Sequence, residues 1–466
     1  METVVIFLLF FGTVWGLGIK DVVIIILSQP NEHHLKLAEN LKNDIEQQAE
    51  ALQQGKPIVH LSHRDFPHVG HWTVLPLVEK LHDLHGENSS WVFFVEDRTR
   101  VNLGVLSEVL NEYDPSKVQC IDCAVWLGHA LHDNEATIIH HFAFYEDPQK
   151  FKFPNLGSGI AISTNLLQRL AERLRHPATP HSDFEIDSSH ELALFIWDKG
   201  KGEVLTNDNA FCIQQDNNNC ASYPLTFQPC GALVEKDSIY FAVKTCEKYH
   251  KERVPVVKKT WAQYASNVEF FSDEADVSIP TINLGIPNTE QGHCAKTIAI
   301  LHHIHDKLKH HPRVQWVVVA DDDTILGVSR IQQLLTCYNA TKLVALGERY
   351  GYNVHSARGY NYITGGGGMV FSRALLKQLT RPGVCECPSI SAPDDMFLGL
   401  CIASLGVSVT HSPLFHQARP IDYPPQYLLT KDAVSFHKHW MIDPIGVYDK
   451  WFAEEDMKGA DVHVEL

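Results

Sequence analysis

Short apolar runs alternate with amphipathic stretches along most of the chain. VVIIIL (Val22 to Leu27) and SIYFAVKT (Ser238 to Thr245) are β-branched and aromatic, and each predicts the opening strand of a half. Val317 to Ala320 predicts another strand, with a helix from about Leu326. Strands alternating with helical stretches predict an α/β fold with a largely parallel sheet. The pattern also repeats. SSWVFFVEDRTRVNLGVLSEVLNEYDPSK, from Ser89, overlays VQWVVVADDDTILGVSRIQQLLTCYNATK, from Val314, and GIAISTNLLQRL, from Gly159, overlays GMVFSRALLKQL, from Gly368. Two matches in the same order predict a duplication. Polar stretches between Thr206 and Asp237 mark the boundary, giving domains at 19–236 and 237–466.

The ends add a compartment. An apolar run from Val4 to Leu17 predicts a cleaved signal peptide over residues 1–18, although no Lys or Arg precedes it. No other segment approaches the length of a membrane span, so the mature chain is expected to be soluble. The final His463-Val464-Glu465-Leu466 resembles a retrieval signal, which predicts the endoplasmic reticulum lumen and a retrieval receptor as partner. Eleven cysteines suit that oxidising space and predict disulfides, with at least one thiol free unless a bridge joins two chains. Neither Cys120-x-x-Cys123 nor Cys385-x-Cys387 has the second pair that a structural zinc site needs. Asn88 and Asn339 lie in glycan-acceptor sequons. A net charge of −17 weighs against a general nucleic-acid binder, though it leaves room for a local basic patch.

Candidate chemistry sits at a strand end. Asp321-Asp322-Asp323 follows the apolar run, where ligands of open α/β sheets bind. Three abutting carboxylates suit Mg²⁺ or Mn²⁺ and, through it, a diphosphate; a solvated helix cap is the plainer alternative. The matching place in the first half reads Glu96-Asp97-Arg98, and a guanidinium cannot ligate a metal. That contrast makes Asp323 the leading ligand, with Asp322 near it and Asp321 in support. The run Thr364 to Met369 carries Gly366, Gly367 and Gly368, which permit close approach to a substrate. Asp394 and Asp395 precede an apolar helical run and suit a cap, a substrate contact or a general base. His437 and His439 would share one face of a strand, and an imidazole favours Mn²⁺ over Mg²⁺. The histidines of LHHIHDKLKHHP read as a solvated helix face.

In that order, strand-DDD, GGGGM, PDD and SFH resemble the Fringe-like β-1,3-glycosyltransferases, as does FAVKTCEKYHKERVPVVKKTW with Arg253 and Trp261. GERYGYN, YNYITGGGGMVFSR, APDDMFLG and THSPLFHQARP narrow the resemblance within that family, and DNEATIIHH and ALFIWDKG extend it into the first half. The HVEL end departs from the terminal tetrapeptide of that branch but keeps its class. The resemblance implies two tandem GT-A-like (Rossmann-like) domains, the C-terminal one catalytic and the N-terminal one a degenerate copy. It implies an inverting enzyme that uses UDP-glucose and Mn²⁺, or another divalent cation. Its acceptor would be the 3-hydroxyl of fucose O-linked to thrombospondin type 1 repeats, giving Glc-β1,3-Fuc. By position it makes Asp323 and His437 metal ligands and Asp395 the base. Asp321, Asp322, Arg253 and Trp261 would lie around the nucleotide. Another UDP-sugar donor, or a non-catalytic folding factor that binds glycosylated clients, remains open from the residues alone.

Overall fold

A computed structural model describes residues 18–113, 124–179, 182–215, 219–430 and 432–461. The chain is mixed α/β. Its first half supplies strands β1 (Val22–Leu27), β2 (Ile58–Leu61), β3 (Trp91–Glu96), β4 (Trp126–Gly128), β5 (Ile160–Ser163) and β6 (Thr206–Asn207). The second supplies β7 (Ile239–Lys244), β8 (Asn267–Ser272), β9 (Thr281–Asn283), β10 (Trp316–Asp321), β11 (Ala345–Gly347), β12 (Met369–Ser372) and β13 (Thr410–His411).

The first sheet runs β2-β1-β3-β5-β4-β6, and the second runs β9-β8-β7-β10-β12-β11-β13. Leaving out β9, the two orders coincide, and β5 and β12 are each antiparallel to both neighbours. The registers coincide as well: Val22 pairs with Trp91 as Ile239 pairs with Trp316. Every residue of β1 and β7 is buried, because helices cover both faces of each sheet. After β5 and β12 the chain turns into a helix at Ser163 and Ser372, whose hydroxyls accept from the amides of Leu166 and Leu375. Gly159 and Gly368, which enter these strands at φ 90° and 96°, need the left-handed region open to glycine.

The helix expected from Leu326 begins at Val328 instead; Thr324–Leu326 forms a short strand paired antiparallel with Ser435–His437. The histidine-rich segment is a helix over Cys294–Lys307 with its apolar side buried; His302, His310 and His311 are exposed.

The halves interlock. A first-half strand, Phe184–Glu185, joins the second-half hairpin of Arg349–Tyr352 and Tyr360–Ile363. A disulfide joins Cys230, ahead of β7, to Cys337. Cys212–Cys220, Cys294–Cys387 and Cys385–Cys401 are also bridged, so the two cysteines of the Cys-x-Cys pair have different partners, and Cys246 is a buried free thiol. Asn88 and Asn339 are exposed. The signal-peptide core, Cys120, Cys123 and the HVEL end lie outside the described residues. No helix among the described residues is long and apolar enough to cross a membrane.

Candidate functional site

The acidic triplet closes β10, and the β7–β10 register sets Lys244 beside Asp321. The Thr324 hydroxyl accepts from the Asp321 amide at 3.0 Å and donates to the Gly366 carbonyl at 2.9 Å, which fixes the turn holding the other two acids. Thr324 pairs directly with His437. That register carries the imidazole to Asp323, with Nε2 3.2 Å from Oδ1. Nδ1 lies 3.0 Å from the Gln417 carbonyl; a proton on Nδ1 donates there and leaves Nε2 as the ligand atom. One atom each from Asp321, Asp323 and His437 lie within 4.8 Å of one another. Two carboxylates and an imidazole fit a borderline cation such as Mn²⁺.

Cations balance the acids. Arg253 Nη1 lies 2.9 Å from both Asp322 and Asp323, and its guanidinium stacks on Tyr249 at 3.7 Å. Asp322 also accepts from the Thr245 hydroxyl at 2.6 Å, so it faces these partners and stands outside the three-ligand group. Burial raises Asp322 to about 6 against those hydrogen bonds. For Asp323 burial works the same way, but His437 and Arg253 outweigh it and hold its carboxyl well below the usual range. A cleft of about 660 Å³ opens here, with Lys244, Lys248, Arg253, Lys296 and Lys438 in its lining. That lining can neutralise a diphosphate.

The helix Asp394–Ser404 begins against the same cluster. Lys244 bridges Asp321 at 3.0 Å and Asp394 at 2.7 Å, and Thr297 donates to Asp394 at 2.6 Å. Burial alone would lower the Lys244 pKa; the two carboxylates overcome it and keep the ammonium charged. Lys244→Met would strand the buried carboxylate of Asp394 and the half-buried one of Asp321, a loss expected to cost about 3–5 kcal/mol. Urea unfolding of the variant measures it. Asp395 is half-buried and differs from its neighbour. Among the described residues it has no ion pair, and its Oδ1 accepts from the Met396 amide at 2.7 Å. Burial, then the charge of Asp394, raises it to about 6.

Four expectations change. Trp261 does not line the cleft: it is fully buried, and its indole donates to the Thr324 carbonyl, bracing the turn from within the core. Gly366 gives room to the protein's own ligand rather than to a substrate, since an added Cβ would lie 2.4 Å from the His437 ring. The carbonyls of Gly366 and Gly367 are taken by Thr324 and Ser435, while Gly368 serves the backbone turn. His439 lies beyond the strand that ends at His437 and is not in the ligand group, so the two do not act as a pair. Asp394, expected at the substrate, has its carboxylate engaged by Lys244 and Thr297. Lys244, Thr245, Lys296 and Thr297 were not singled out from sequence; a lysine ending an otherwise apolar strand was the one available signal.

The first half has a different chemistry at the equivalent place. Thr99 pairs with Pro224 where Thr324 pairs with His437. Asp97 accepts from His34, whose other nitrogen meets the Tyr338 hydroxyl of the second half at 3.1 Å. Arg349, also from the second half, is buried over Trp72, and burial pushes it down to about 9. Only about 100 Å³ of cavity remains there.

Residues 234–458 match the family described as Fringe-like. The chain is similar to a β-1,3-glucosyltransferase of Mus musculus, with 49% identity across 94% of this chain and 88% of that protein. A β-1,3-glucosyltransferase of Homo sapiens is 48% identical across 94% of this chain and 86% of its own length. A more distant similarity, 27% over 39% of this chain and 52% of the relative, is to the β-1,3-N-acetylglucosaminyltransferase radical fringe of Notophthalmus viridescens.

Proposed function

The chain belongs to the β-1,3-glucosyltransferases, with a Fringe-like region across residues 234–458, and from that premise we propose that it moves glucose from UDP-glucose to the 3-hydroxyl of O-linked fucose on thrombospondin type 1 repeats. The observation that carries this reading is the convergence of Asp321, Asp323 and His437 near a carboxylate, Asp395, that has no ion pair among the described residues. Asp323 and His437, with Asp321, would hold Mn²⁺. The ion would supply charge neutralisation at the departing diphosphate.

The chain's own groups do the rest. Arg253 and the lysines of the cleft draw in and orient the diphosphate. Lys244 ties Asp394 down, so that Asp395 is left as the proton acceptor. Asp395 takes the proton of the fucose 3-hydroxyl as that oxygen attacks the anomeric carbon from the face opposite UDP. One displacement converts the α-linked donor into a β-linked product, Glc-β1,3-Fuc.

With its carboxyl raised to about 6, Asp395 is protonated and inactive as a base at lower pH. Transfer at saturating donor is therefore expected to rise through about pH 6 and level off above it, as a pH–rate profile would record. The first half is proposed to be non-catalytic, because Arg98 and Pro224 stand where the second half has Asp323 and His437. The disulfides and the exposed sequon residues Asn88 and Asn339 support residence in the endoplasmic reticulum lumen.

Incubation with UDP-glucose, Mn²⁺ and an O-fucosylated thrombospondin repeat should add the mass of one hexose. A gain with UDP-galactose or UDP-N-acetylglucosamine instead would change the donor, and no gain with any of them would overturn the reading.

A further inference from the structure

The hairpin of Arg349–Tyr352 and Tyr360–Ile363 lies directly under the helix that begins at Asp394. The approach is close because position 399 is glycine; an added Cβ there would lie 2.5 Å from the Cβ of Tyr362. Opposed residues of an antiparallel ladder share a face, and so do residues two apart. Tyr352 opposes Tyr360, Tyr350 opposes Tyr362 and the first-half residue Phe184 opposes Tyr352, so all five rings lie on one face. Their spacing makes a row: Tyr362 to Tyr360 is 6.5 Å between ring centres, Tyr360 to Tyr352 is 5.5 Å and Tyr352 to Phe184 is 5.3 Å. Tyr362 is buried at the inner end, Tyr360 and Tyr352 are half-buried, and Phe184 is 36% exposed at the outer end. Burial raises the phenols of Tyr360 and Tyr362, and the charge of Asp395 contributes to both, which places the inner end of the row beside that carboxylate.

The first half also holds the other face. Trp72 donates from its indole to Asn361 at 2.9 Å, Asn361 donates back to the Val69 carbonyl at 3.0 Å, and Thr73 donates to the buried Glu185. The hairpin is thus clamped from behind and extended at its edge by residues of the half that lacks the acidic site.

We infer that the first half takes part in acceptor binding, with Phe184 completing an aromatic shelf, Tyr362–Tyr360–Tyr352–Phe184, on which the polypeptide bearing the acceptor sugar lies. This rests on the reading of Asp395 as the base. The acceptor hydroxyl has to reach that carboxylate, so the surface leading away from it carries the rest of the acceptor. The donor's charge, by contrast, is matched at the lysine-lined cleft. Aromatic rings suit the apolar face of a sugar and of extended backbone alike. At ~3.3–3.6 Å per residue the row accommodates several residues of chain as well as the sugar.

Calorimetry of an O-fucosylated thrombospondin repeat, without donor, tests this on the full chain. Phe184→Ala is expected to weaken binding about tenfold, and Phe184→Trp to bind within about twofold of the unaltered protein. Thermal unfolding serves as the folding control, and Tyr352→Ala, expected to weaken binding similarly, is the second variant if Phe184→Ala does not fold. Unchanged affinity in a folded alanine variant would overturn the shelf. Hexose transfer by the unaltered protein is read separately. Weakened binding without any transfer would remove the transferase reading and keep the shelf, whereas transfer with unchanged affinity would remove the shelf alone.

Discussion

Asp395→Asn is expected to lower the turnover number by about 10²–10⁴-fold, the usual contribution of a positioned general base. The change is close to isosteric, and the amide oxygen can still accept from Met396 as the carboxylate does. What is lost is the capacity to take a proton. Asp395 touches neither Lys244 nor Thr297, which are committed to Asp394, so the packing of the helix start should survive. UDP binding in the presence of Mn²⁺ should therefore persist, and the rise in rate through about pH 6 should vanish with the group that causes it. Pre-steady-state transfer assays alongside UDP titrations would check both halves of this expectation. Undiminished turnover would remove Asp395 from the base role.

Asp323→Ala is expected to have the larger effect on binding. Loss of a residue that merely orients a metal ligand typically costs ~10–100-fold in metal affinity; loss of a ligand should exceed that. The substitution also leaves His437 and Arg253 without the carboxylate that faces both. UDP titrations with Mn²⁺ and with chelator would measure the result, and the expected outcome is that the two curves coincide. If Mn²⁺ still strengthens UDP binding as in the unaltered protein, the ligand assignment fails.

The sequence determined the parts that local physics encodes. The apolar runs of β1 and β7 marked the opening strand of each half, and the overlay of GIAISTNLLQRL on GMVFSRALLKQL marked β5 and β12 as counterparts. The contrast of Glu96-Asp97-Arg98 with Asp321-Asp322-Asp323 singled out one half and the residue Asp323, because a guanidinium and a carboxylate cannot serve the same cation. Only the tertiary structure chose the partners. Asp323 and His437 are 114 residues apart, and the pairing of Thr324 with His437, rather than any local pattern, selects that histidine over His439. The same pairing shows Pro224 at its first-half counterpart. Trp261 read as a nucleotide contact and proved to be a core residue, since a sequence motif does not say which way a side chain points. Lys244 drew no attention in an apolar strand until the fold set it between two carboxylates. The addition of Phe184 to a hairpin of the other half was equally out of reach. Periodicity and capping act over a few residues and can be read along the chain, whereas register between distant strands is settled only when the whole core packs.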